Sequence, residues 1–243
     1  MRHVAETGST NADLIDAVVA GTASNRTVLA TDHQTAGRGR LDRRWDAPPG
    51  ENLLVSIVVA PVPSVAAEAT HRVGLAAVAA VRGLVDDEHA STVGLKWPND
   101  VLIDDRKLAG ILAQRVPDRD AVVVGLGLNV GWAPEGAVAL GQYSTRRTPT
   151  PADVLSVLLD EFTALPADIS ARYRDTLVTI GQQVRVELPG DAVALEGRAV
   201  DVDADGRLAV VDANGARHHL DAGDVVHVRA TQPPAARTSP PKA

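Results

Sequence analysis

An α+β fold is what this 243-residue sequence predicts: a mixed β-sheet with flanking helices, then a small barrel-like β module. Three observations carry that reading. Residues 53–59 and 93–130 break into short apolar runs of strand length. Ser64–Val85 is Ala-rich, with apolar residues three and four apart, which is helical spacing. After Gly181 five short apolar segments alternate with tight-turn dipeptides.

The elements follow in order. Asn11–Val19 reads as the first helix, with Ser9, Thr10 or Asn11 as its N-cap. Val28–Thr31 is a short strand. Thr35–Pro49 is rich in Gly, Arg, Asp and Pro and reads as a long loop, a kind that is usually functional or mobile. Leu53–Val59 is a compact apolar strand, and Ser64–Val85 is the long helix. Val93–Trp97, Val101–Ile103, Lys107–Gln114 and Ala121–Val130 are strands, with Asp104-Asp105 forming a tight hairpin turn. Thr150, Pro151 and Asp153 supply an N-cap, a first-turn proline and an acidic third position, so a helix starts there. It is interrupted at Pro166 and continues to Ile180. Beyond it, Val184–Leu188, Ala194–Val202, Arg207–Val211, Arg217–Leu220 and Val225–Val228 are candidate strands, and Asp205-Gly206 and Asn214-Gly215 are hairpin turns. The expected units are therefore 1–180, a β-barrel module at 181–230, and a Pro-rich polar tail at 231–243 expected to be disordered.

Composition narrows the function. With 45% hydrophobic and 23% charged residues the chain is an ordinary globular protein. Only 2% are aromatic, so the core is aliphatic and each of the three Trp residues marks a possible ligand surface. A net charge of −7 argues against binding through a broad basic surface. Without Cys there is no disulfide, thiolate nucleophile or Cys-ligated zinc. The first residues lack a signal-peptide pattern, and no apolar stretch reaches membrane-span length, so a cytoplasmic protein is expected. The seven histidines show no metal-ligand spacing, and no metal site is expected.

Three segments carry candidate chemistry. Gln34 to Arg40 (QTAGRGR), followed by Arg43, Arg44 and Trp45, interleaves glycine with arginine. Such a loop can close over an anionic ligand, because glycine lets backbone N–H groups approach and Arg forks onto phosphate or carboxylate. It is equally readable as a flexible basic loop or an RNA-binding Arg-Gly segment. Lys96-Trp97-Pro98-Asn99-Asp100, then Lys107 to Leu112 (KLAGIL), places Asp100 and Lys107 across a hairpin. An ammonium beside a carboxylate in a cleft could serve phosphate chemistry; a surface ion pair is the plainer alternative. Gly125 to Gly131 (GLGLNVG) misses the dinucleotide fingerprint, since Val130 stands where a third glycine is needed. Those glycines instead let a ligand or another segment pack on a strand.

In order, Ser9-Thr10-Asn11, the Gln34–Arg40 loop, KWPND, KLAGIL and Gly125–Asn129 resemble the biotin protein ligase family. The motifs span Thr7 to Gly131, and the domain layout continues to Val228. The resemblance implies a class II synthetase-like fold with a C-terminal SH3-like barrel. It implies a two-step reaction with Mg²⁺ and ATP: biotin becomes biotinyl-5′-AMP, then passes to a lysine of a biotin carboxyl carrier domain. It implies that Ser9, Thr10, Asn11 and Gln34 bind the ureido head. Gly37, Arg38, Gly39 and Arg40 would order over the ligand, and Lys107 would contact the carboxylate and the α-phosphate. Asp100 would orient that lysine or accept a proton, and Gly110 would leave room. Trp45, Asn129 and Lys96 would lie at the nucleotide.

Two positions depart from the family pattern. Asp42 stands where glycine is usual, and Gln114 where an acid is common. Eight residues precede Ser9, too few for the DNA-binding domain of some relatives, so no nucleic-acid partner is expected. The competing readings are a lipoate or octanoate ligase or transferase of related fold, and a non-catalytic adenylate-binding regulator.

Overall fold

Seven strands form the larger sheet of the computed structural model, which describes residues 1–41, 43–65, 67–145, 147–187, 194–221 and 224–227. They are β1 (Arg2–Thr7), β2 (Val28–Gln34), β3 (Leu53–Val59), β4 (Gly94–Lys96), β5 (Asp100–Ile103), β6 (Arg106–Arg115) and β7 (Val122–Leu128). Their order is β1-β2-β3-β7-β6-β5-β4. Only β1 and β2 run parallel, joined by helix α1 (Thr10–Val19); every other neighbour is antiparallel, so the sheet is mixed.

Each face of the sheet is covered by a helix. Helix α2 (Glu68–Leu84) packs over β4, β5, β6 and β7, and helix α4 (Pro151–Ala164) covers β3 on the same face. Helix α1 covers the other face through Leu14 and Val18 against Leu29, Val58 and Val123. A strand buried on both sides needs apolar residues at every position rather than at alternate ones. That is why β3 reads LLVSIVV, and why its single polar residue, Ser56, is conspicuous. Helices α3 (Asp87–Ala90), α4 and α5 (Ser170–Thr176) pack against α2, with a 3-10 turn at Leu140–Tyr143. Helix α4 starts with the expected reciprocal cap: Asp153 N–H donates to Thr150 Oγ1 at 3.2 Å, and Thr150 N–H to Asp153 Oδ2 at 2.8 Å.

The second sheet holds β8 (Gln183–Glu187), β9 (Leu195–Val202), β10 (Leu208–Val211), β11 (Arg217–Leu220) and β12 (Asp224–His227), all antiparallel in the order β11-β10-β9-β8-β12. Gly206 and Gly215 take φ of +80° and +81° in the two expected hairpin turns. The β9–β10 turn rests on the first sheet: Trp97 Nε1–H donates to Gly206 O at 3.0 Å, and His71 Cε1 lies 2.7 Å from where a Gly206 Cβ would stand. Trp97 is therefore a core residue, 2% exposed, and not a ligand surface.

Three elements carry no sequence signal of their own. Strand β1 (RHVAET) is an edge strand with little burial and so shows no apolar alternation. Helix α3 and the 3-10 turn are single turns whose shape comes from packing. The tail 231–243 and Asp42 lie outside the described residues.

His71 stacks on Tyr173 with ring centroids 3.6 Å apart. Burial lowers its pKa from 6.5 to about 4. The unfolded chain therefore binds the extra proton first, so stability is full above pH 6.5 and falls as pH drops toward 4. The loss is on the order of 3 kcal/mol from this one group. His71→Phe is expected to flatten the stability–pH curve in that window, measured by urea denaturation; an unchanged slope would remove His71 as its cause.

Candidate active site

The face under α1 loses its helix beyond the helix N-terminus, and there the sheet carries glycine. Gly110 of β6 pairs with Gly127 of β7, and Leu112 with Gly125. The strip is bare because something lies on each glycine. A Cβ on Gly125 would stand 2.4 Å from Asn11 Oδ1, and one on Gly127 would stand 2.3 Å from the Trp45 ring. At Gly110 it would meet the same ring at 3.0 Å and Lys107 Nζ at 3.4 Å. These positions line a cavity of about 140 Å³ together with Ser9, Thr10, Asn11, Gln34, Arg38, Gly39, Arg40, Trp45, Asp100 and Lys107. Most residues expected at the site are thus brought together from four separate stretches of chain.

The Arg-Gly stretch is more ordered than an open loop. Trp45 N–H donates to Gly37 O at 3.0 Å, Arg38 bridges Arg44, and Gly39 N–H donates to Arg43 O at 2.7 Å. This is a short β-hairpin over the cavity. Gly37 lines no part of the cavity; its role is backbone approach, since a Cβ there would sit 2.3 Å from Trp45 O. The expectation that loop glycine N–H groups face an anion fails at Gly39, whose N–H is used within the hairpin. Arg40 Nη1 donates to Asn99 Oδ1 at 3.0 Å, and Asn99 Nδ2 donates to Ile111 O at 2.8 Å, which moors the hairpin to β6. Arg38 is exposed at the rim and makes no ion pair among the described residues.

The start of α1 forms the opposite end of the cavity. Ser9 is the N-cap residue in extended conformation, yet its hydroxyl makes no capping bond. Thr10 and Asn11 turn into the sheet, 3% and 5% exposed. Gln34 Oε1 accepts from Thr10 N–H at 2.8 Å and from its hydroxyl at 3.0 Å. Asn11 Nδ2 donates to Leu112 O at 3.1 Å and to Gln114 Oε1 at 2.8 Å. A carboxylate at 114 could accept the same bond, so the glutamine preserves the contact.

Between the two ends lie Lys107 and Asp100. The Asp104-Asp105 turn, with φ of +48° and +59°, folds β5 against β6 as expected. Lys107 Nζ then lies 2.7 Å from Asp100 Oδ1, forming an ion pair at the cavity wall. The ammonium also sits 5.7 Å from the centroid of the Trp45 ring. Trp45 Nε1 is buried without a hydrogen-bond partner among the described residues, an arrangement costing on the order of 1–3 kcal/mol that a ligand acceptor could recover.

Two expected nucleotide residues are not at this cavity. Lys96 pairs with Asp100 across β4–β5 and does not line it. Asn129 is buried: its Nδ2 donates to Val138 O at 3.1 Å and its Oδ1 accepts from Asn52 at 3.3 Å. Asn52 Oδ1 in turn accepts from Val130 N–H at 2.9 Å and Trp132 N–H at 3.3 Å. The pair fixes the backbone after β7, and Val138 N–H donates to Lys107 O at 2.9 Å. Of the three Trp residues only Trp45 lines the cavity. Sequence reasoning passed over Ser56 and Asn52. Ser56 was legible as the one polar residue inside LLVSIVV; Asn52 had no local signal, since its partners lie 77 and more positions away.

Gly127→Ala is expected to lift the Trp45 ring off the strip. Its fluorescence should shift to the red and become more accessible to iodide while the circular dichroism spectrum is unchanged. Emission identical to wild type would show that the ring does not rest there.

Comparison with known proteins identifies the family of the chain. The model of the "Biotin/lipoate A/B protein ligase family" matches residues 6–130, and that of the "Biotin protein ligase C terminal domain" matches residues 179–228. A biotin–[acetyl-CoA-carboxylase] ligase of Mycobacterium tuberculosis is 40% identical, with 93% of this chain and 88% of that protein aligned. One from Paracoccus denitrificans is 35% identical over 73% of this chain and 74% of its own length. Among solved structures, a biotin protein ligase from Aquifex aeolicus in complex with biotin and ATP superposes with a TM-score of 0.77, covering 94% of this chain and 98% of that one at 24% identity. Matched across its larger sheet by the family model and aligned nearly end to end with a 40%-identical relative, the chain belongs to the biotin/lipoate A/B protein ligase family.

Proposed function

We propose that this protein is a biotin–[biotin carboxyl-carrier protein] ligase. It activates biotin with ATP to biotinyl-5′-AMP and transfers the biotinyl group to a lysine of the carrier domain of a carboxylase. The observation that carries this reading is one cavity with two chemical ends. At the α1 end are neutral hydrogen-bonding groups, Ser9, Thr10 and Gln34; the cations follow, Lys107 in the middle and Arg38 and Arg40 on the hairpin. Biotin has that same polarity: a urea in an apolar bicycle, then a chain ending in a carboxylate. A lipoyl dithiolane offers no hydrogen-bonding group to the α1 end, which disfavours the lipoate or octanoate reading.

In the first step the biotin carboxylate attacks the α-phosphorus, and the bond to pyrophosphate breaks. Lys107 is placed to neutralise charge developing there, a contact typically worth about 3 kcal/mol in a dry site. In the second step the neutral amine of the carrier lysine attacks the acyl carbon and AMP leaves. Asp100 holds Lys107 and is the carboxylate available to take the amine's proton. The Gly37–Trp45 hairpin, with Arg38, Gly39 and Arg40, covers the anhydride and keeps water out. Trp45 offers a flat face to the adenine, and Asn129 acts through the backbone segment that it fixes. Mg²⁺ would enter with the nucleotide and would supply positive charge at the phosphates; no group of three or more acidic or histidine side chains that could hold a metal occurs among the described residues. Asp100 is the acidic residue among those lining the cavity.

We assign residues 1–180 to catalysis and 181–230 to the barrel module, whose β9–β10 turn supports α2. No described helix is long and apolar enough to cross a membrane. The use of ATP and a carboxylase in the proposed reaction supports a cytoplasmic location, and the net charge of −7 supports a protein partner rather than a nucleic acid.

Covalent biotinylation of a purified carrier domain, followed by mass spectrometry, tests the function; no transfer with ATP and biotin present would reject it. Lys107→Ala is expected to slow biotin-dependent pyrophosphate exchange by roughly 100-fold with little change in melting temperature. Near-normal exchange would remove Lys107 from the chemistry. Arg40→Gly cuts the mooring to Asn99, so the adenylate should escape and label bystander proteins; tight retention would contradict the closing role of the hairpin.

A further inference from the structure

We infer that Ser56, a residue with no surface in the cavity, sets which atoms of the cavity donate and which accept hydrogen bonds, and so selects a cyclic urea as the head group. The inference rests on the biotin reading and deepens it.

The argument is a count of protons. Ser56 is fully buried on β3, at 0% exposure. Its Oγ lies 2.7 Å from Thr10 Oγ1 and 2.6 Å from Asn11 Oδ1. Both neighbouring amides have a fixed orientation. Asn11 Nδ2 faces the Leu112 carbonyl, which can only accept, so Asn11 Oδ1 must be the atom turned to Ser56. Thr10 N–H can only donate, so the atom of Gln34 it meets is Oε1.

Two hydroxyl protons, those of Ser56 and Thr10, therefore serve three oxygens inside the protein: Asn11 Oδ1, Gln34 Oε1 and one of the two hydroxyl oxygens. If Ser56 donates to Asn11, Thr10 donates to Ser56 or to Gln34. If Ser56 donates to Thr10, Thr10 donates to Gln34. Two protons across three close oxygen–oxygen contacts already leave one contact without a proton, and turning the Thr10 proton to a ligand would leave two, so both protons are held inside the protein. Thr10 Oγ1 faces the cavity with lone pairs only, as an acceptor. Gln34 has spent its oxygen inside the protein, and its Nε2 has no partner among the described residues, so it faces the cavity as a donor.

An acceptor beside a donor is the complement of an N–H next to a C=O, the edge that a cyclic urea presents. A head group with an oxygen in place of that N–H would set lone pair against lone pair at Thr10. Ser56 thus acts through Thr10 and Asn11 as a positioning residue. Without it Asn11 Oδ1 loses its partner, and the Thr10 hydroxyl can turn its proton outward.

The test uses the full chain and three probes: biotin, desthiobiotin, which keeps the cyclic urea, and a cyclic carbamate analogue with one ureido N–H replaced by oxygen. Wild type is expected to bind biotin and desthiobiotin and to reject the carbamate by roughly 100-fold or more, measured by calorimetry. In Ser56→Ala the biotin KM should rise about 10-fold while kcat at saturating biotin falls less than threefold. The KM for ATP should stay constant, and the carbamate penalty should shrink below about 5-fold. Ser56→Cys keeps the volume with a weak donor and acceptor, and should show the same relaxed discrimination should the alanine variant fail to fold. A full carbamate penalty in the folded variants would overturn the role of Ser56 and leave the function standing. A wild type that binds no biotin would overturn the function itself and the inference with it.

Discussion

The bare strip of sheet at Gly110, Gly125 and Gly127 is the constraint on which the site depends. Elsewhere the sheet is covered by side chains of α1 and α2, which interdigitate with Val, Leu and Ile. On the strip three glycines let Asn11, Trp45 and Lys107 approach the backbone itself. Any side chain there would fill the space in which the chemistry is proposed to happen. The same face a few residues further on carries Val58 and Val123 and is ordinary core. One side of one sheet is therefore structural at one end and functional at the other, and the change is made by removing Cβ atoms.

Around that strip, groups are held by interactions of different strength. The α1 end is rigid because Thr10 and Asn11 are nearly buried and hydrogen-bonded to partners on β2, β3 and β6. Satisfied buried polar networks specify one arrangement, since any alternative strands a donor or acceptor. The Lys107–Asp100 pair is half in water, so it contributes less to stability than to placing a charge. The Arg-Gly hairpin is the loosest part, tied through Arg40 to Asn99 and by a few backbone bonds. That gradient suits a site that must recognise a small head group rigidly and then open and close over a reactive anhydride.

The second sheet bears on the first through Trp97, Gly206 and His71, at the far end of the KWPND segment from Asp100. Trp97 N–H also donates to Thr179 Oγ1 at 2.9 Å, just before the barrel begins. The motif thus has two duties. Its Trp joins the two sheets in the core, while its Asn and Asp serve the hairpin and the lysine. This explains why a tryptophan sits inside a segment that also carries Lys96, Asn99 and Asp100.

Sequence alone determined what local chemistry can specify. The both-faces-buried strand at Leu53–Val59, the capped helix at Pro151 and the Asp-Gly and Asn-Gly hairpins are written in period, cap and turn residues, and they appear at or within a few residues of their expected positions. The ordered motifs gathered Ser9 to Asn11, Gln34 to Arg40, Asp100 and Lys107 into one site, because the types of residue needed for an anion and a urea are distinctive. Tertiary structure alone decided which of those residues face the cavity. Asn129 and Trp97 carry polar or aromatic groups suited to a ligand, yet their partners lie in distant segments that turn them inward. Ser56 and Asn52 matter for the same reason: a buried polar group is defined by where its hydrogen bonds go, and those partners are set by the pairing of strands rather than by neighbours in the chain.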